Sequence, residues 1–322
     1  MNGEVSRVLF LVPPQVHLLD LSRAAHIFYE AIARGAPFSS HFVTLASPQL
    51  VSSSGLQFAQ LKCYADFHLS KEDLIFIPGL ESELLLNPNF LESLSPFSTW
   101  LRKQHNQGAW VSSVCTGAYI LAESGLLDYR ACTTHWRFAE RFQQCYPRAQ
   151  LQKNRLFVDA GTVFSSAGVA SGIDLALYLL EKKMGSPFAS KIAREVVIFL
   201  RRSESDPQLS VFLQYRNHLD DTVHQVQDLI AQSLADKPSI ESLAEAVHVS
   251  PRTLTRNFKK ATLITIGEYT DKLRVERATK LLGEGHKVAS AAAACGLKSE
   301  NQLRSLLRKY RGVLPQEVHQ MA

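Results

Sequence analysis

The sequence has no apolar run of membrane-spanning length, few cysteines and no C-x-x-C pair. Its first apolar run, Val8 to Val12, stops at Pro13-Pro14. That is well short of the ~18–20 residues a bilayer span needs, and short of a signal-peptide core. The reading excludes a membrane protein and predicts a soluble chain kept in the cytoplasm. The five cysteines are Cys63, Cys115, Cys132, Cys145 and Cys295. An odd count without paired spacing, in a chain of this size, argues for reduced thiols and against a disulfide framework. No metal and no cofactor is expected from these spacings. Hydrophobic residues make up 46% and charged residues 20%, a globular balance that excludes a disordered chain. At ~150 residues per domain, 322 residues predict two domains.

The net charge of +5 is unevenly spread. Residues 1–215 carry 19 Lys+Arg against 18 Asp+Glu, and residues 216–249 carry 2 against 6. Residues 250–322 carry 14 against 6, a net of +8. A basic last segment behind a near-neutral body points to a polyanion partner there, although a solvated lysine-rich face would give the same count.

The first two thirds alternate short apolar runs with helical patterns. Strands are expected at Val8–Val12, His41–Leu45, Leu74–Ile77 and Trp110–Val114, with helices at Leu21–Ala33, Phe90–Gln104 and Thr116–Ser124. A hairpin follows around Ala160-Gly161, pairing Leu156–Asp159 with Thr162–Ser165, and then a helix from Ser171 to Met184. Strands that alternate with helices predict a parallel sheet covered on both faces. Arg201–Gln208 is polar, contains Pro207 and has no periodicity, so a linker is placed at 201–219. Only helical patterns come after it. The expected architecture is an α/β domain over 1–200, a linker, and an all-α domain over 220–322.

Two passages of the basic segment share one grammar. In residues 239–261 a short helix ends near Val247, a turn follows, and Ser250 with Pro251 opens a second helix. Leu254 and Phe258, four residues apart, face inward, which turns Arg252, Thr253, Arg256, Lys259 and Lys260 toward a partner. In residues 287–312 an alanine-rich helix, a turn at Gly296 and an N-cap at Ser299 repeat the pattern. Leu303 and Leu307 face in, while Asn301, Ser305, Arg308 and Lys309 face out. A helix over Ile266–Leu282 joins the two. Tandem helix-turn-helix units of this kind present two helices to successive major grooves of double-stranded DNA. A purely structural helical bundle is the bland alternative.

From about Asp220 onward the chain resembles the AraC-type DNA-binding domain. The resemblance is carried by SLAEAVHVSPRTLTRNFKKAT, RVERATKLL, Gly296, Ser299, Gly312 and Pro315. The second unit departs from the family: Gly296-Leu297 replaces a Gly-Phe turn, and Leu303, Leu307 and Arg311 stand at usually aromatic positions. Leucines can fill that core and an arginine cannot, so Tyr310 or Leu306 must compensate.

In WVSSVCTGAYILAESG a strand runs into Cys115 and a helix begins at once, the layout of a nucleophile elbow. A cysteine at a helix N-terminus feels the positive end of the helix dipole and can have a lowered pKa. Asp20, in the loop after the first strand, is expected nearby, since functional loops gather at the C-terminal ends of parallel strands. The bland readings make Cys115 a small buried residue and His135 a packed histidine. CTGAYILAESGLLDYRACTTHW with VFSSAGVASGIDLALYLL resembles the ThiJ/PfpI domain, a flavodoxin-like, class I amidotransferase-like fold, in the version fused to AraC-type domains and known as GlxA-like regulators. VLFLVPPQVHLLDL fits its first strand and acidic loop. The resemblance implies a pocket of Asp20, Cys115, Thr116, His135 and Ser166 for a small nitrogen-containing effector. It further implies a homodimer, promoter DNA as partner, and RNA polymerase as a partner if the chain activates. Peptidases of the wider superfamily carry histidine after the cysteine, where this chain has Thr116, so the regulator reading is one of a non-enzyme. The alternative is a cysteine-dependent hydratase or amidase, with Cys115 and Asp20 as its catalytic candidates. A redox switch at Cys115 is a third reading.

Overall fold

The computed structural model describes residues 5–153, 155–197, 210–216, 218–236 and 238–321. The chain divides at residue 208 into two compact units, and each is described by itself. The expected linker stretch Arg201–Gln208 lies outside the described residues.

The first unit is built on a seven-stranded sheet in the spatial order Phe157–Asp159, Val163–Ser166, Trp110–Val114, Leu74–Ile77, Ser6–Val12, Phe38–Thr44, Lys62–Cys63. Every neighbouring pair is parallel except the edge hairpin of Phe157–Asp159 with Val163–Ser166. The central strands bury both faces, and the alternation of side chains divides them between two cores. Leu9, Leu11, Ile75, Ile77 and Val111 meet Leu94, Phe97, Leu101 and Ile120 on one side. Val8, Phe10, Val12, Leu74 and Phe76 meet Leu21, Ile27, Phe28, Leu175 and Leu179 on the other. Helices Leu18–Ala33 and Val169–Met184 cover this second face.

The expected helix Phe90–Gln104 is two helices, Pro88–Ser93 and Ser95–Asn106. Pro96 at the start of the second is the physical reason, because its ring is accommodated in a first turn and not in a helix interior. Asp73, 2% exposed, ties the beginning of the first strand to the beginning of the strand Leu74–Ile77. Its carboxylate accepts from the Arg7 backbone N–H at 2.6 Å and the Arg7 guanidinium at 2.7 Å, and from the Ser70 N–H at 2.7 Å.

Among the described residues the second unit contains only helices. Helix Val211–Tyr215 falls inside the stretch expected as linker, yet Val211 is buried with Val226 and Tyr269 and its N–H donates to Glu276 at 2.6 Å. The chain therefore enters the second unit's packing ahead of residue 220. Helix Ile266–Gly283 runs through both halves of the unit. Ile266 and Tyr269 complete one core with Val226, Leu243, Leu254 and Phe258, while Val275, Ala278 and Leu282 complete another with Ala291, Cys295, Leu303 and Leu307. No helix of the described residues is long and apolar enough to cross a membrane.

Candidate functional sites

The first candidate site lies at the C-terminal ends of the parallel strands. Strand Trp110–Val114 delivers Cys115 in a left-handed conformation, φ +59°, before helix Gly117–Glu123 begins. Such a backbone costs a non-glycine residue roughly 1–3 kcal/mol and persists where its surroundings fix it. Here the Cys115 N–H donates to the Ser166 carbonyl at 2.8 Å, and the Cys115 carbonyl accepts from the Thr134 hydroxyl at 3.0 Å. Gly117 is required for the next step of the chain. A Cβ there would stand 2.2 Å from the Ile77 carbonyl oxygen.

Asp20, 2% exposed, comes from the first turn of helix Leu18–Ala33. Neither of its carboxylate oxygens has a hydrogen-bond partner. The Nδ1 of His17 lies 3.5 Å from Asp20 Oδ2, while the other ring nitrogen lies 3.7 Å from Glu81 Oε1. The Asp20 carboxylate, seconded by that of Glu81, raises the His17 pKa against the effect of burial. Gly79 forms the floor of the site. A Cβ at that position would lie 2.4 Å from Asp20 Oδ2 and 2.9 Å from the Thr116 hydroxyl. Thr116 is fully buried, and its hydroxyl donates to the Leu80 carbonyl and accepts from the Leu80 N–H, both at 3.1 Å.

The Cys115 thiol is buried. Burial and the adjacent Asp20 carboxylate push the Cys115 pKa far up, and the seven-residue helix that follows does not offset them. His135 lies within reach of the same group of residues, with Gly168 against its ring. Burial lowers its pKa, and its Nδ1 accepts from the Arg137 N–H. The Ser166 hydroxyl is buried without a partner. Asp20, Thr116 and the Ser166 backbone thus meet Cys115 directly, and His135 lies near Asp20. His17, Gly79 and Glu81 were missed. His17 carried one signal, standing three residues before Asp20 on the same turn.

The second candidate site is a pair of helices in the second unit. Helix Pro251–Thr262 starts at Ser250, whose side chain accepts from the Thr253 N–H at 3.1 Å. Leu254 and Phe258 are fully buried, and Arg252, Arg256, Lys259 and Lys260 are exposed. Thr253 is half-buried and its hydroxyl is 2.8 Å from that of Ser250, so it serves the cap. Helix Glu300–Arg311 starts at Ser299, which accepts from the Gln302 N–H. Asn301, Ser305, Arg308 and Lys309 are exposed, as is Arg304, which the sequence reading omitted. The Arg304 guanidinium donates to Asn301 Oδ1 and to Glu300, both at 3.0 Å. Arg311 is exposed, and Leu306 and Tyr310 pack on the core in its stead, Tyr310 with Lys272 over its ring. Gly296 makes the second turn at φ +68°, where a Cβ would stand 2.4 Å from the Ala235 carbonyl oxygen. Arg274, on the joining helix and 8% exposed, donates through Nε to the Cys295 carbonyl at 3.0 Å.

Residues 6–182 match the DJ-1/PfpI family, and residues 243–321 match a helix-turn-helix domain. The chain is 29% identical over 223 residues to the HTH-type transcriptional regulator GbdR of Pseudomonas aeruginosa, covering 69% of this chain and 60% of that one. It is 30% identical over 246 residues to the HTH-type transcriptional regulator CdhR of the same species, covering 76% and 70%. It is also 31% identical over 183 residues to the isonitrile hydratase of Pseudomonas putida, covering 55% of this chain and 71% of the hydratase. The match to GbdR thus spans less than two thirds of that regulator's length.

Proposed function

The chain belongs to the DJ-1/PfpI family and carries an AraC-type helix-turn-helix region behind that domain, and on this premise we propose that it is a DNA-binding transcription regulator whose first domain senses a small molecule. One observation carries the reading. Two capped twelve-residue helices, seated on a single joining helix, each bury leucine or phenylalanine and expose a row of cations. This is the form in which a helix enters a major groove, its cations meeting phosphates and base edges. On this proposal Arg252, Arg256, Lys259 and Lys260 contact one segment of promoter DNA. Asn301, Ser305, Arg308 and Lys309, with Arg304, contact the next. The effector is a small nitrogen-containing metabolite held near Asp20, Cys115, Thr116, His135 and Ser166. It acts by binding more tightly to one of two conformational states. A homodimer in the cytoplasm, and contact with RNA polymerase where the chain activates, complete the proposal.

The test is to incubate purified protein with sheared genomic DNA at near-physiological salt and to sequence the retained fragments. Enrichment of a few sites, each with two protected segments about one helical turn apart, supports the reading. Uniform retention or none, with and without cell extract as a source of effector, overturns it.

The likeness to isonitrile hydratase favours a second reading, an enzyme using Cys115 and Asp20. The raised thiol pKa and the threonine beside it weigh against a resting nucleophile. Turnover of isonitriles by the purified chain, abolished in Cys115→Ser, would establish it.

A further inference from the structure

We propose that His17, Asp20 and Cys115 bind one divalent transition-metal ion of the zinc class. The inference concerns the thiol site alone and stands whether or not the chain binds DNA. An imidazole nitrogen, a carboxylate oxygen and a sulfur lie within 4.8 Å of one another. The N–O pair, at 3.5 Å, already has the separation that two donors share around one ion with bonds of roughly 2.0–2.2 Å.

Three features go beyond a chance cluster. The first is Asp20. A carboxylate excluded from water needs paired charge or hydrogen bonds, and neither oxygen has a hydrogen bond of ordinary geometry, the His17 imidazole and the Cys115 thiol being the polar groups that face it. At 3.5 Å His17 is its nearest charge partner, and a bound cation would satisfy the carboxylate more fully. The second is the far side of the imidazole. His17 turns Nδ1 to Asp20 and its other ring nitrogen to the Glu81 carboxylate, and a carboxylate behind a ligating histidine is the usual outer shell that orients the ring. The third is Gly79, where any side chain would occupy the space beside Asp20. The His17 side chain is about a third exposed, which leaves solvent a path for the ion.

The donor set selects the metal. Nitrogen, oxygen and sulfur together suit zinc, whereas calcium and magnesium take oxygen ligands alone. Three protein ligands leave a fourth position of the tetrahedron for water or for a small ligand. On binding, the metal–sulfur bond forms as the thiol proton passes to solvent.

The full chain, stripped with a chelator, is titrated with zinc chloride by calorimetry and with cobalt(II) by absorbance. One ion per chain is expected, with a thiolate-to-cobalt charge-transfer band in the near ultraviolet. Cys115→Ser should abolish the band. His17→Ala and Asp20→Asn should each weaken binding by more than the ~10–100-fold that loss of an outer-shell partner brings, and Glu81→Gln by about that factor. Melting curves with and without zinc check that each variant is folded. Glu81 is half exposed, so its variant reports even where a ligand variant fails to fold. No stoichiometric binding by wild type overturns the proposal. So does a cobalt band that persists in Cys115→Ser, or an affinity unchanged in Glu81→Gln and His17→Ala, which would place the ion elsewhere.

Discussion

Arg274→Met tests whether the second helix-turn-helix is held by the joining helix. The guanidinium is almost fully buried, and its Nε–H donates to the Cys295 carbonyl at 3.0 Å. Cys295 caps helix Val288–Ala294 and immediately precedes the Gly296 turn, so this bond ties the turn ahead of helix Glu300–Arg311 to the joining helix. Methionine keeps most of the apolar stem and removes the donor. A hydrogen bond from a charged group contributes ~1.5–3 kcal/mol, and the orphaned carbonyl keeps its desolvation cost. The ion pair with Asp271, at 3.6 Å and partly exposed, adds at most ~1 kcal/mol. At ~4–8 °C per kcal/mol for a domain of this size, a central loss of ~2 kcal/mol lowers the melting point of the second unit by roughly 8–16 °C. Scanning calorimetry of the full chain should show that shift in one transition and leave the other in place. Footprinting on a retained DNA site should then lose protection at one segment before the other. A shift below ~2 °C, or equal loss at both segments, would refute the reasoning.

Arg256→Ala should weaken binding to a specific site by ~1–3 kcal/mol if the side chain reads a base, relaxing preference at one position. If it meets a phosphate instead, the slope of log K against log salt should become shallower by about one, and no change in either would remove this helix as a reader. Cys115 should be alkylated at pH 8 far more slowly than the exposed Cys145, since burial and Asp20 hold its proton; mass spectrometry showing comparable labelling would contradict that. Burial alone would raise the Asp73 pKa, but its bonds to Arg7 and Ser70 prevail and hold it low. The stabilisation is therefore full above the unfolded value near ~3.9 and is lost as the pH falls through the folded one. Urea titrations of wild type and Asp73→Asn should accordingly converge in strong acid and separate toward neutrality, and parallel curves would falsify the assignment.

The parts of the fold legible in the sequence are those set by local chemistry. Ser250 before Pro251, and Ser299 before Glu300, announce helix starts because the cap bonds span three residues of contiguous chain. The apolar runs at Val8–Val12, Leu74–Ile77 and Trp110–Val114 read as strands because both faces of those strands are buried. The break at Pro96 was equally local and was passed over. The two-residue strands Leu50–Val51 and Lys62–Cys63 were not readable, since a bridge that short is defined by its partner and not by its own pattern. Contacts between distant segments were also hidden. Gly79 lies 36 positions before Cys115, and nothing nearby marks it as the floor under the thiol. The state of the thiol was open in the sequence for the same reason. Its position before a helix permits a low pKa, and the burial that chiefly raises it, with Asp20 second, comes from segments far away in the chain.

Thr116 links the elbow to the loop that precedes it. Its hydroxyl donates to the Leu80 carbonyl and accepts from the Leu80 N–H. The residue after the thiol thus helps to fix the loop that carries Gly79 and Glu81, and though its N–H and hydroxyl also face the sulfur, it offers no base to it. Thr116→Val keeps the shape and removes both bonds. Leaving a buried N–H unsatisfied costs ~1–3 kcal/mol, where an isosteric change without that loss would cost little. The first unit should be destabilised by that amount, and the loop's amide protons should exchange faster than those of the neighbouring strands. Gly79 and Glu81 have their own backbone bonds to the segment that carries His17, the His17 N–H to the Gly79 carbonyl at 2.8 Å and the Glu81 N–H to the Gln15 carbonyl at 3.1 Å, so metal uptake should change little, and the elbow backbone, held by Ser166 and Thr134, stays in place. A variant as stable as wild type, with unchanged exchange at Leu80, would show that the loop holds itself, and threonine at this position would then need another explanation.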